Sequence, residues 1–138
     1  MMDEHDAKLK AFVKEQVRRN LLKAGRALVI DKGVDFLTAR KLSEASGVSV
    51  GTIYNLFATM DNFILAENEQ TLDELFALMN LIVPEANPYI NISRYADAFS
   101  GFVIAHPHLW QLLFRDHLYN GNKKWPCTCL LYTSDAAD

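Results

Sequence analysis

The 138-residue sequence has little cysteine, proline or glycine and no long apolar run. Its two cysteines, Cys127 and Cys129, are separated by one residue, a spacing that rarely gives a strain-free disulfide, so nothing indicates an oxidising compartment. No stretch approaches the roughly 18 apolar residues that span a bilayer. The charged N-terminus lacks the apolar core of a signal peptide. We therefore expect a cytoplasmic protein with no membrane segment.

The sequence also lacks the residue groups that carry catalysis or hold a metal ion. It contains no nucleophile–base pair, no carboxylate pair and no phosphate-binding glycine loop. His106 and His108, even with Cys127, do not show the CxxC or HxxxH spacing of metal sites. We predict neither an enzyme nor a metal or cofactor site.

Charge is distributed unevenly along the chain. Residues 8–57 hold ten Lys or Arg against four acids, a balance of +6, whereas residues 58–138 hold four against ten, a balance of −6. A basic half joined to an acidic half indicates that one half meets a polyanion. On charge alone, an ordinary solvated helix surface is the better interpretation.

Apolar residues recur three or four positions apart along most of the chain, and no segment alternates as a strand does. This pattern predicts an all-α fold. We expect helix N-caps at Asp6, Thr38 and Ser49, and a C-terminal stop at Gly33. The predicted helices cover residues 7–32, 39–46, 50–57, 60–82, 92–105 and 109–118.

Only the turn GVS (47–49) separates the second predicted helix from the third. A turn this short, with a glycine able to take the left-handed conformation, sets two helices at a steep angle. Leu42, Ile53 and Phe57 supply apolar side chains that hold the pair against the first helix. This is the helix-turn-helix arrangement, whose second helix enters the major groove of DNA.

The third helix places short and polar groups on its outward side. Gly51 lies in the first turn, where free N–H groups favour a phosphate, and Arg40 on the second helix reaches a guanine edge or a phosphate. Taken singly, these residues fit a solvated surface. Taken with the turn, the cap at Ser49 and the basic flank, they predict DNA binding. The outward residues of the third helix are Gly51, Thr52 and Asn55, with Val50 and Tyr54 flanking them.

The segment FLTARKLSEASGVSVGTIYNLFATMDNF (36–63) resembles the DNA-binding domain of the tetracycline-repressor (TetR/AcrR) family of bacterial transcriptional regulators. The resemblance covers about residues 8–65. It implies a homodimeric repressor on a palindromic DNA operator, released when a small-molecule effector binds the C-terminal domain. It also implies a set of DNA-binding residues: Thr38, Arg40, Ser49, Val50, Gly51, Thr52, Tyr54 and Asn55.

Two positions depart from the family pattern. The family usually has lysine where this chain has Met60, and often Tyr or His where this chain has Leu56. Both changes remove a contact to the DNA backbone, so we expect weaker binding and an unchanged fold. The alternative left open is a helix-turn-helix-fold protein-interaction module without significant DNA binding.

The segment YADAFSGFVIAHPHLWQLLFRDH (95–117) resembles the regulatory part of the same family. Its aromatic residues are candidates for an apolar effector pocket. For any one of them, plain core packing at helical spacing is the simpler interpretation. The five candidates are Tyr95, Phe99, Phe102, Trp110 and Phe114.

The last ten residues, CLLYTSDAAD (129–138), are identical to one reading frame of a transposase-type sequencing adapter. We expect them to be an assembly artefact, with the natural gene continuing past residue 128 and dimerisation impaired in this chain. The expected domains are a DNA-binding domain (1–60, with the helix-turn-helix at 38–57) and a partial C-terminal regulatory helical domain (61–128), joined by the long fourth helix.

Overall fold

A computed structural model describes residues 3–115 of the chain. Within that range the fold is all-α with no β-strand, which confirms the predicted class. A 3₁₀ turn at Val34–Phe36, which the pattern did not predict, follows the first helix. Cys127, the tail at 129–138 and the end of the predicted sixth helix lie outside the described residues. The helices are α1 (Glu4–Lys32), α2 (Ala39–Ser46), α3 (Val50–Phe57), α4 (Met60–Asn80), α5 (Pro88–Ala105) and α6 (Pro107–Phe114).

The chain divides after Glu67, within α4, into two compact units. The sequence analysis expected a domain boundary at residue 60, which is the first residue of α4. The boundary between the two compact units lies seven residues further along that helix. Phe63 and Ile64, in the first two turns of α4, are buried and belong to the first unit. None of the helices in residues 3–115 combines the length and the hydropathy that a bilayer crossing needs.

Local signals set the helix ends in the first unit. α2 and α3 have the bounds that the sequence predicts. α1 begins at Glu4 and its N-cap is Asp3, so the prediction of Asp6 was wrong. The Asp3 carbonyl accepts the N–H of Ala7 at 3.1 Å, and Asp6 lies in the first turn, where a carboxylate suits the helix dipole. Gly33 (φ 93°) ends α1, as predicted.

Prolines begin the helices of the second unit. α5 starts at Pro88, four residues before the predicted start, because the Asn87 side chain caps the N–H of Tyr89 at 3.0 Å. A proline in the first turn needs no hydrogen-bond acceptor for its nitrogen. α6 likewise starts at Pro107, and α4 ends at Asn80, two residues before its predicted end.

The core of the first unit takes apolar residues from α1 to α4. The rings of Phe57 and Phe63 meet edge to face, with centroids 4.9 Å apart. α1 approaches α4 closely at Gly25, where an added Cβ would stand 2.6 Å from Cζ of Phe63. This close packing holds α1 in place beneath α2 and α3, which both contact it. The buried apolar residues are Leu21, Leu22, Val29, Leu37, Leu42, Ile53, Phe57, Phe63 and Ile64.

In the second unit α5 packs against α6. The amide Nδ2 of Asn68, on α4, donates to the carbonyl oxygen of Leu112 at 3.3 Å. The rings of Phe99 on α5 and Trp110 on α6 meet with centroids 5.2 Å apart, and within α6 the ring centroids of Trp110 and Phe114 are 4.8 Å apart. The buried apolar residues are Leu72, Leu75, Phe102, Leu109, Leu112 and Leu113.

Candidate nucleic-acid interface

A three-residue turn sets α3 against α2. Gly47 adopts the left-handed conformation (φ 74°, ψ 7°), and its N–H donates to the carbonyl of Ser43 at 2.9 Å. The Oγ of Ser46 accepts the N–H of Val48 at 3.1 Å, which holds the other side of the turn. Because glycine takes this φ without steric penalty, Gly47 determines where α2 stops and the chain reverses.

Both helices of the pair begin on the caps that the sequence predicts. The Oγ1 of Thr38 accepts the N–H of Lys41 at 3.2 Å, and the Oγ of Ser49 accepts the N–H of Thr52 at 3.2 Å. The Ser49 Oγ also lies 2.9 Å from the Thr52 Oγ1. Side-chain caps of this kind contribute about 1 kcal/mol each, so both helix starts are well defined.

α3 separates an inward side from an outward side. Ile53 and Phe57 are buried, and the Thr52 side chain is half-buried. The structure brings the other predicted residues of this helix together on one accessible side. They are Val50, Gly51, Tyr54 and Asn55, all exposed.

The first turn of α3 offers two unused hydrogen-bond donors. Within residues 3–115, no backbone or side-chain group accepts the N–H of Val50 or that of Gly51. The first backbone bond of the helix runs from the N–H of Ile53 to the Ser49 carbonyl at 3.1 Å. In the same part of the chain, a Cβ added at Gly51 would meet no group within 4 Å. A phosphate can therefore approach these N–H groups at the positive end of the helix.

α2 carries basic residues that pair with an acid, and the sequence interpretation did not predict this pairing. The Nε of Arg40 lies 3.3 Å from Oε1 of Glu44, and the Nζ of Lys41 lies 3.6 Å from its Oε2. The i,i+4 spacing of Arg40 and Glu44 is the sequence signal that identifies such a pair. The Arg40 side chain is 86% exposed, so the ion pair is weak and the guanidinium can leave it for DNA.

Leu56, where the family pattern often has Tyr or His, faces the N-terminal half of α1. It lines an open groove together with Thr52 of α3 and with Leu9, Val13 and Val17 of α1. The lining of the groove is almost wholly apolar. A leucine at this position therefore suits contact with α1, and this explains the departure from the family pattern in structural terms.

The five aromatic candidates of the second unit lie in different environments. Phe102 is buried in the core, whereas Phe99 is 37% exposed. Trp110 links Phe99 to Phe114 through edge-to-face ring contacts. Tyr95 is half-buried and makes no ring contact with another described residue. The structure therefore brings three of the five side chains into one row.

Sequence interpretation missed buried polar residues on α4. Thr71 and Asn68 are buried in the second unit. The Oδ1 of Asn68 accepts no hydrogen bond from any residue between 3 and 115. Asn68 stands four residues from both Ile64 and Leu72, so it occupies an inward position that a search for apolar periodicity passes over.

The chemistry available on the helix pair is hydrogen bonding and charge. Its outward groups are backbone N–H, hydroxyl, amide, phenol and guanidinium, which are the groups that bind phosphates and base edges. No three His, Cys, Asp or Glu side chains in the described part of the chain are placed to hold a metal ion.

Two short capped helices joined by a tight turn, packed on a longer helix and with the second helix exposed outward, define a helix-turn-helix DNA-binding domain. A comparison with protein-family models matches residues 21–66 to the family described as bacterial regulatory proteins, tetR family. Residues 21–66 therefore form a DNA-binding domain of the TetR type, and this match supports a DNA-binding transcriptional regulator of the helix-turn-helix type. The match begins within α1, later than the resemblance from residue 8. Searches of the curated proteins and of the solved structures found no significant match.

Proposed function

We propose that the chain is the DNA-reading part of a ligand-responsive repressor that binds a palindromic operator as a homodimer. One observation carries the proposal. The outward side of α3 combines exposed side chains with two unused backbone donors, on a domain of the TetR family. Such a surface has what a helix needs to sit in the major groove.

In this proposal, one set of residues binds DNA phosphates and another contacts the base edges. The Thr38 hydroxyl accepts the cap bond and keeps its hydrogen to donate to a phosphate. The exposed Tyr54 hydroxyl binds a second phosphate, with Asn55 beside it. Gly51 lets the backbone come close to the DNA, and the Thr52 hydroxyl reaches a base edge.

The remaining candidates support these contacts. Arg40 exchanges its exposed pairing with Glu44 for a guanine edge or a phosphate. The exposed Val50 side chain offers an apolar contact to a thymine methyl group. Ser49 positions Thr52 through its two hydrogen bonds to that residue.

Dimerisation and effector binding belong to the same proposal. Two copies of α3 spaced about 34 Å apart, one turn of DNA, would read the two halves of a palindrome. The row of Phe99, Trp110 and Phe114 fits a small apolar effector, because such pockets are mostly lined by aromatic and aliphatic side chains.

The test is selection of binding sites from a 30-bp duplex library with a randomised centre, using the full chain. We expect enrichment of a defined half-site sequence, and of two-fold symmetric pairs of it where two chains bind one duplex. Recovery of unenriched sequences would sink the proposal, and paired half-sites without two-fold symmetry would remove the dimer from it. A small apolar molecule that releases the selected duplex would supply the effector.

The matched variant for this test is Gly51→Ala. An added Cβ meets no group within 4 Å in the described chain, and alanine favours a helix, so stability should not fall. We expect binding to the selected duplex to weaken about ten-fold, equivalent to ~1.4 kcal/mol, because the methyl group stands between the backbone and DNA. Binding equal to that of the unmodified chain would exclude Gly51 from the interface.

The alternative, an interaction module that keeps the fold, differs in its salt response. A DNA-binding domain loses affinity for random duplex steeply as salt rises, because bound phosphates release counterions. The alternative gives no binding to random duplex at 50 mM KCl, and that result would favour it.

A further inference from the structure

α1 extends well beyond the domain that matches the family. The match begins at residue 21, whereas α1 begins at Glu4. Residues 4–20 therefore add about 25 Å of helix, at 1.5 Å per residue, outside the match. Within this extension, residues 8–19 carry five Lys or Arg and one acid.

The side of α1 that faces the core is apolar in the core and becomes cationic where the helix extends beyond it. Leu21 and Gly25 are buried. Steps of three and four residues back along the same side lead to Arg18 and Lys14. The Arg18 guanidinium lies 5.6 Å from the centre of the Phe57 ring, and Lys14 is exposed. The side that is apolar in the core is therefore cationic beyond it.

This cationic stretch lies beside α3. Lys10 and Lys14 line the same groove as Thr52 and Leu56. Because the lining of the groove is almost wholly apolar, the lysines contribute their methylene stems to it and carry their ammonium groups outside. Thr52 is half-buried and stands three residues from the exposed Asn55, so it borders the accessible side of α3. Both ammonium groups are therefore held at the edge of the side of α3 that is proposed to face DNA.

Two of the three acids in the extension form ion pairs with residues other than Lys14. Lys8 pairs with Glu4 at 2.9 Å, and Arg19 pairs with Glu15 at 3.3 Å. Lys14 forms no ion pair with any residue in the described range 3–115. An exposed cation held in position without an acidic partner is suited to a phosphate.

We propose that Lys10 and Lys14 bind the phosphate backbone of duplex DNA beside the bases that face α3. The inference rests on the proposed function and adds α1 to the DNA-binding surface. It also supplies two phosphate contacts in a domain whose Leu56 and Met60 lack the polar groups that the family pattern has there.

The test compares Lys14→Gln and the double variant Lys10→Gln/Lys14→Gln with a control, Lys23→Gln. Lys23 is exposed on α1 and forms no ion pair with residues 3–115. It stands nine residues, or two and a half turns, beyond Lys14, so it lies on the opposite side of the helix. Lys14→Gln and Lys23→Gln therefore change the same helix and remove the same charge. They differ in which side of α1 loses that charge.

Binding is measured as fluorescence anisotropy of a fluorescein-labelled 30-bp duplex of random sequence between 50 and 200 mM KCl. The logarithm of the association constant falls as the logarithm of the salt concentration rises. Each lost phosphate contact should make this negative slope shallower by about 0.9. Between 50 and 200 mM KCl the affinity of the unmodified chain falls by some factor. For the double variant that factor should be about 12 times smaller. Lys23→Gln should keep the slope of the unmodified chain, and circular dichroism melting should show that all variants fold.

The outcomes separate this inference from the function on which it rests. If the unmodified chain binds no duplex, the proposed function fails. If it binds and Lys14→Gln has the same slope as Lys23→Gln, only the role of α1 fails. The supporting result is a shallower salt dependence for Lys14→Gln than for Lys23→Gln, and a still shallower one for the double variant.

Discussion

The Oγ of Ser49 lies 2.9 Å from the Oγ1 of Thr52 and also accepts the N–H of Thr52 at 3.2 Å. The residue that begins α3 therefore also orients the hydroxyl proposed to reach the bases. Thr52→Val keeps the shape of the side chain and the cap bond and removes only the hydroxyl. We expect its affinity for the selected duplex to fall about five-fold, as for the loss of one hydrogen bond of ~1 kcal/mol.

The control for that prediction is Ser49→Ala, which removes the cap. Its free energy of unfolding should fall by about 1 kcal/mol, whereas Thr52→Val should melt near the temperature of the unmodified chain. Anisotropy titration and circular dichroism melting measure the two effects. Duplex binding by Thr52→Val at full strength would remove Thr52 from the site.

Glu44→Gln should strengthen DNA binding. Glu44 holds Arg40 and Lys41 at 3.3 and 3.6 Å and adds a negative charge beside the proposed phosphate contacts. Removing that charge frees both cations, and we expect duplex affinity at 50 mM KCl to rise several-fold, with the gain shrinking at 200 mM. Stability should change by less than about 0.5 kcal/mol, because exposed pairs contribute little. A fall in affinity would show that the Arg40–Glu44 pair positions Arg40 for DNA.

The sequence predicted α2 and α3 to the residue because short-range chemistry determines their ends. Thr38 and Ser49 each cap an N–H three residues ahead, and Gly47 adopts a conformation that glycine favours. The outward side of α3 follows from the same helix bounds. Such signals act within one turn of helix, so they can be recognised without knowledge of the tertiary structure.

The features that the sequence did not predict depend on where neighbouring elements end. Leu9, Phe12 and Val13 have the spacing of an apolar helix face, yet they are 55%, 61% and 52% exposed. Periodicity shows which side of α1 is apolar and does not show how far its partners extend. The groove between α1 and α3 and the burial of Asn68 are of the same kind, because both arise from tertiary packing.

Ala58→Gly should stabilise the first unit. Ala58, which follows α3, has φ 66° and ψ −46°, and it is the only non-glycine residue within 3–115 with a positive φ. A side chain in this region is strained by about 1–3 kcal/mol, and glycine relieves most of that strain. After the entropy that glycine adds to the unfolded chain, we expect a net gain of about 1 kcal/mol and a melting temperature roughly 4–8 °C higher.

The opposite substitution tests the same reasoning at the other turn. Gly47 has φ 74°, and a Cβ added there would meet no described group within 4 Å, so Gly47→Ala introduces backbone strain alone. Its free energy of unfolding should fall by about 1 kcal/mol. A lower melting temperature for Ala58→Gly would contradict the assignment of strain to Ala58.

The close approach of α1 to α4 makes Gly25 sensitive to a single methyl group. A Cβ at Gly25 would stand 2.6 Å from Cζ of Phe63 and 2.9 Å from Oε1 of Glu67, and both residues are fully buried. Gly25→Ala therefore overpacks the core, and we expect the free energy of unfolding to fall by about 1–3 kcal/mol. Gly101→Ala on α5 has no described neighbour within 4 Å of its Cβ and should gain about 0.5–1 kcal/mol.

A double-mutant cycle identifies the clash as the cause of the Gly25→Ala effect. Phe63→Leu removes the ring atoms that the new methyl group would meet, and on its own it leaves a cavity. If the clash is the cause, the chain with both substitutions should be more stable than the sum of the two single effects predicts, by at least about 0.5 kcal/mol. Strict additivity in thermal and urea unfolding would mean that Gly25 and Phe63 act independently, and α1 would then owe its position to other contacts.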